Sequence, residues 1–111
     1  MSQTPSIGRI VHYKLNAGDA EAINRRRKDY NAARAASYVP GVEKLGTGEQ
    51  VHVGNGASAG DVYPAMIVRT WGSTPESSVQ LQVFLDGNDT YWATSVNEGD
   101  GERAWSWPPR V

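Results

Sequence analysis

Residues 79–96, VQLQVFLDGNDTYWATSV, constrain this chain more than any other stretch. Val79, Leu81, Val83 and Leu85 alternate with Gln80, Gln82 and Phe84, the period of a strand with one face in a core. Asp86-Gly87-Asn88-Asp89 supplies turn chemistry, with Gly87 and Asn88 both able to adopt positive φ. Tyr91 and Trp92 open the return strand. The stretch therefore reads as a β-hairpin whose Val/Leu parity is core and whose Gln/Phe parity is a second face.

At 111 residues the chain is expected to be one domain, 1–111, large enough for a core without covalent staples. It has no cysteine, so neither a disulfide framework nor a thiolate metal site is available. Twelve glycines, six prolines and four tryptophans suit a turn-rich β-protein better than a helical bundle. The opening MSQTPSIGR lacks the apolar run of a signal peptide. No apolar stretch approaches the roughly 20 residues that span a bilayer. The net charge of −1 hides an asymmetry. Residues 1–47 hold eight basic and four acidic groups (8 − 4 = +4), and residues 48–111 hold three basic and eight acidic (3 − 8 = −5). Either the two parts neutralise each other on folding, or the basic part faces an anionic ligand or a neighbouring subunit's acidic part.

In chain order, Ile7–Leu15 is the first strand candidate. Asn16 stands at a helix N-cap position, with Asp19 and Glu21 near the positive end of the helix dipole. Helix formers run on to Ala36, and Pro40-Gly41 end the segment, which gives a helix insertion at about 17–36 and a loop at about 40–60. A short strand is expected at Gln50–Val53. Asp61–Trp71 is a strand, with Met66 and Val68 on one face and Ala65, Ile67 and Trp71 on the other; Pro64 sets its start at an edge or bulge. Ala104–Trp107 reads as a short final strand stopped by Pro108-Pro109. The helix has a poor core stripe: Ala20, Ile23, Arg27, Tyr30 and Arg34 share a face, so two arginines sit beside its large apolar residues. That stripe fits packing against another subunit, presentation of arginines to a ligand, or an ordinary surface helix whose arginines lie along apolar surface.

The chemistry-bearing residues are few. Histidines His12 and His52 lie 40 positions apart, with no metal-ligand spacing. The DGND turn superficially resembles a calcium loop, but the twelfth position from Asp86 is Asn97 where a glutamate is needed. Glu98, Asp100 and Glu102 form a second acidic turn, and two such turns brought together would be a glycosidase pair. No serine elbow supports a hydrolase triad. Arg25-Arg26-Arg27-Lys28 is the strongest charge run. It fans around most of a helix, although Arg26 with Tyr30, or Arg27 with Arg34, point together, and guanidinium forks suit phosphate. The overall charge argues against a duplex nucleic acid partner. Trp105 and Trp107 share a strand face and are either core or a stacking platform for a base. Phe84, on the polar parity with Gln80 and Gln82, marks a contact surface.

The segments SIGRIVHY, AEAINRRR, GDVYPAMIVRTWG, LQVFLDGNDTYWATSV and WSWPPR resemble a family of small proteins encoded by phages and prophages of actinobacteria. The resemblance spans nearly the whole chain, loosest at 37–50. It implies a viral setting and an intracellular place of action, and it supplies no catalytic residues. The pattern GRIVHY…VYPAMIV…VQLQVFL…YWATSV also looks like the strands of SH3-like small barrels, which are usually binding or assembly modules.

The resulting expectation is a mainly β (α+β) fold: a small antiparallel SH3-like barrel or half-open sandwich with one helix inserted after the first strand. The expected function is non-enzymatic. A phage-encoded binding protein would sequester a small anionic, nucleotide-type host immune signal in the host cytoplasm, using Arg25, Arg26, Arg27, Tyr30, Arg34, Trp105 and Trp107. The alternative is a virion or assembly accessory protein that contacts other phage proteins, and a small hydrolase is a third reading. No cofactor, metal or membrane partner is implied. A homo-oligomer is expected, with Ile23, Gln80, Gln82 and Phe84 at its interface.

Overall fold

The computed structural model describes residues 3–36, with side chains as far as residue 32, and residues 54–109. Its elements are β1 (Ile10–Lys14), α1 (Ala17–Ala36), β2 (Val62–Thr70), β3 (Val79–Phe84), β4 (Thr90–Val96) and β5 (Ala104–Ser106). The strands form one antiparallel sheet in the order β4-β3-β2-β1-β5. The fold is therefore mainly β, a curled half-barrel with one helix inserted after the first strand, as the alternation and the N-cap signal predict. The chain leaving β4 turns back to the outer edge of β5. Glu98 bridges Trp105 in parallel, the Gly99 amide donates to the Trp105 carbonyl at 2.9 Å, and the Trp105 amide donates to the Asn97 carbonyl at 3.2 Å. These bonds draw the two ends of the sheet towards each other.

The concave face carries the core. Val11 and Tyr13 from β1, Ala65 and Ile67 from β2, Val79, Leu81 and Val83 from β3, Ala93 and Val96 from β4 and Trp105 from β5 are all buried. Leu15, Ala20 and Ile23 close it from the helix side. Asn16 caps α1 as its position predicts. Its Oδ1 accepts from the Asp19 amide at 2.7 Å, and Asp19 Oδ2 accepts from the Asn16 amide at 3.1 Å, a reciprocal capping box. Of the helix's 20 residues, the fully buried described side chains are Asp19, Ala20, Ile23 and Arg27. Asp19, Ile23 and Arg27 follow i, i+4 spacing and Ala20 lies three positions before Ile23, which puts the four on one face.

Two bulges decide which side chains face outwards. The β2–β3 register shifts between Ile67 and Arg69, so Ile67 pairs with Leu81 while Arg69 pairs with Gln80. One extra residue reverses the parity of everything beyond it. Trp71, expected on the face of Ala65 and Ile67, is instead 52 % exposed on the opposite face with Arg69. A second shift between Val79 and Leu81 lets Ala93 and Val96, three positions apart, both face the core, with Ser95 at φ 52° absorbing the extra residue. β1 is shorter than expected because Ser6–Gly8 turn before it, with Gly8 at φ 92°.

The segment entering β2 is tied down at both ends. The Asn24 side chain exchanges two hydrogen bonds with the Ala57 backbone, Nδ2 to the carbonyl at 2.8 Å and the amide to Oδ1 at 2.9 Å. Gly54 bridges Gly87 in the hairpin turn. A Cβ at Gly54 would lie 2.3 Å from the Asp86 carbonyl oxygen, so glycine is required by this close approach. The strand expected at Gln50–Val53 lies outside the described residues.

Candidate functional site

The basic run on α1 is divided between structure and solvent. Arg26 Nη2 donates to Asp89 Oδ2 at 2.9 Å and to the Thr90 carbonyl at 2.8 Å. Arg27 Nη2 reaches Asp89 Oδ1 at 3.2 Å, and its Nη1 donates to the Asn55 carbonyl. The Arg27 side chain is only 8 % exposed and that of Asp89 only 1 %. One carboxylate thus holds two guanidinium groups and pins the β3–β4 turn to the helix and to residue 55. The ligand site expected at Arg26 and Arg27 is corrected accordingly: both guanidiniums are engaged by the acidic half of the same chain. Arg25 remains exposed with an i,i+4 partner in Glu21 at 2.6 Å, Tyr30 is half-buried, and the Arg34 side chain lies outside those described.

A second carboxylate, Asp19, organises the helix N-terminus. It accepts from the Tyr13 hydroxyl at 2.6 Å and the Tyr91 hydroxyl at 2.8 Å, with Arg103 Nη1 at 3.7 Å. Arg103, at φ 55°, also donates to Tyr13 Oη at 3.2 Å and to the Thr94 carbonyl at 3.1 Å. Burial, and then the hydrogen bond to the Asp19 carboxylate, push both phenols up: Tyr91 to about 12, and Tyr13 further in the same direction. Both groups are therefore neutral donors at ordinary pH, fixed by a buried anion. The Asp89 cluster shows where part of the charge asymmetry goes, because two cations of the basic part meet an anion of the acidic part inside the fold. The Asp19–Arg103 pair runs the other way, from an acid of the first part to a base of the second.

The C-terminal tryptophans stack edge-to-face with centroids 5.1 Å apart and planes at 89°. Trp105 is fully buried in the core, so the ligand-stacking role expected for it is corrected to packing. Trp107 is half-buried against the same core, and the Arg9 guanidinium lies 4.8 Å from its ring. Ile23, expected at an interface, is likewise fully buried within this chain.

The convex face of the sheet is different. Ile10 pairs with Met66, Met66 with Gln82, and Gln82 with Trp92, so these four side chains form one row across four strands. Ile10 is 44 % exposed and Trp92 58 %. Phe84, the next outward residue of β3, is 40 % exposed, and Val62 and Pro64 continue the face along β2. At its other end the Arg69 guanidinium lies 4.1 Å from the centroid of the Trp71 ring. Of the interface residues expected from sequence, Gln80, Gln82 and Phe84 belong to this face. Ile10, Met66, Trp92 and Trp71 were missed. Ile10 stands beside Val11, outside the alternation of the core residues Val11, Tyr13 and Leu15, and Trp71 is carried outwards by the bulge. The outward parity of Gln80, Gln82 and Phe84 was legible in the alternation of β3.

The remaining candidates are separate from this face or peripheral to it. Asp86 of the DGND turn accepts from Asn55 Nδ2 at 2.9 Å, so the turn is an internal tie. Glu98 and Asp100 line a cleft of about 430 Å³ with Glu76, away from the groups that hold Asp86 and Asp89. His12 faces outwards on β1 between Pro64 and Ser106, and His52 lies outside the described residues. Among the described residues no group of three or more His, Asp or Glu side chains is arranged to hold a metal ion, and no helix is long and apolar enough to cross a membrane. Comparison with protein-family models, curated proteins and solved structures gave no match.

Proposed function

We propose that this is a non-enzymatic binding protein that works through protein–protein contacts made by the convex face of its sheet. The observation that supports the reading is the in-register row Ile10–Met66–Gln82–Trp92 with Phe84 and Trp71 beside it. Interface cores are enriched in Trp, Phe, Met and Arg and depleted of Lys, Asp and Glu. This face has that composition, in a chain that is 21 % charged overall. Of the roles raised by the sequence, it fits the accessory protein of a virion or of its assembly. A photo-cross-linking side chain at position 84, in the protein as produced in its host cell, is the test. Adducts to protein at position 84, and none from position 22 on the exposed helix face, are expected. Equal adducts at both positions, or none, would remove the reading.

A second reading rests on the Arg69–Trp71 pair. A planar cation over a half-exposed indole offers a phosphate partner and a stacking surface side by side, which suits a nucleotide-type ligand. Thermal shift against cyclic and linear nucleotides tests it. A rise of several degrees, abolished by Trp71→Ala, is the expected result, and no shift with any of them discards it.

A further inference from the structure

We infer that the occupant of the convex face is a second copy of this chain, joined to it in an isologous, face-to-face dimer. The inference rests on the reading of that face as a contact surface and names its partner.

Area is the first argument. Weighted by their exposures, Ile10, Val62, Trp71, Phe84 and Trp92 together offer on the order of 500 Å² of mostly apolar surface, as large as the largest patches that monomers leave exposed. A stable interface takes about 800 Å² from each partner, and the outward Pro64, Met66, Gln80, Gln82 and Thr90 extend the patch towards that size without a new element.

Charge is the second. Lys14, paired with Val62 at one margin of the face, donates its Nζ to the Asp100 carbonyl at 2.9 Å, and Arg69 lies over Trp71 at the other end, so the formal charges flank the row and none lies within it. A face read by a charged partner would carry the opposite sign. A face that meets its own copy must instead avoid like charges at its centre, and this one does. Its central polar residue, Gln82, carries both a donor and an acceptor, so it complements another Gln82 as an aspartate or lysine would not. The exposed cations of α1, Arg25 and Lys28, sit on the helix that covers the opposite face. Face-to-face pairing therefore places the two basic helices on the outside, with two sheet layers between them. Pairing through the helices would bring like charges together.

Geometry is the third. Sheets stacked face to face lie about 10 Å apart with strands roughly 30° from parallel, a distance that Trp, Phe and Met side chains fill.

The test is sedimentation equilibrium of the full chain at micromolar concentration. The 12.1 kDa chain should sediment at about 24 kDa, twice its monomer mass. Trp92→Glu should restore the monomer, and Arg25→Glu on the helix should not. Gln82→Glu and Gln82→Lys should each be monomeric alone and form the dimer when mixed; this pair keeps the test decisive where Trp92→Glu fails to fold. A wild-type monomer, or a dimer indifferent to every substitution on the face, overturns the inference. A monomer that still cross-links from position 84 to a different protein overturns self-pairing while leaving the contact surface standing. A dimer indifferent to these substitutions and silent in cross-linking removes both.

Discussion

Asp89 is the residue on which the helix, the hairpin turn and the segment at residue 55 converge. Breaking a buried pair by removing one partner typically costs about 3–5 kcal/mol, because the remaining charge stays buried. Asp89→Ala should therefore destabilise by that amount in urea unfolding, while Arg25→Ala, whose pair with Glu21 is exposed, should stay within about 0.5 kcal/mol. Arg27→Met combined with Asp89→Ala should recover part of the loss, since Arg26 is half-exposed and can turn to water. The phenols at Asp19 give a second signature. Their folded pKa values lie above the ordinary 10, so the folded state holds protons that the unfolded state releases. Their stabilisation is complete below pH 10 and is lost as pH rises towards about 12 for Tyr91, and higher for Tyr13. Midpoint denaturant concentration should fall across that window, and Tyr91→Phe should flatten the fall. At this scale the sequence was least legible. RRRK advertises a ligand for anions, and only the fold brings Asp89, sixty-two positions on, to Arg27.

The elements were the most legible level, for local physical reasons. Asn16 at the cap, three positions before Asp19, marks the start of α1. Asn16→Ala should cost about 1 kcal/mol, read by thermal or urea unfolding. The hairpin Val79–Val96 follows its alternation. What escaped notice were the bulges, because an extra residue in a strand leaves no mark in hydrophobic period when the residues around it are Val, Arg and Thr. The shift between Ile67 and Arg69 alone moves Trp71 from the expected core face to the exposed one. Gly54 shows the same dependence on tertiary contact. Its glycine answers the Asp86 carbonyl, so Gly54→Ala should loosen the tie between residue 55 and the turn and accelerate amide exchange at Asn55.

For the whole molecule, the two faces of the sheet divide the work. The concave face, closed by α1, holds the core and consumes the charges that looked available for a ligand. The convex face leaves Trp92, Phe84, Ile10 and Trp71 in solvent in an isolated chain, and this is the surface assigned to the second copy. The opposite charges of the two parts of the chain were readable from composition, but their internal neutralisation at Asp89 was one of two outcomes that composition left open. The most direct measurement is hydroxyl-radical footprinting of the tryptophans by mass spectrometry. Trp92 should be protected at concentrations where the chain is dimeric and become reactive on dilution or in Gln82→Glu, while buried Trp105 stays unreactive throughout. Trp92 oxidised at the rate of an open side chain at every concentration would contradict the account.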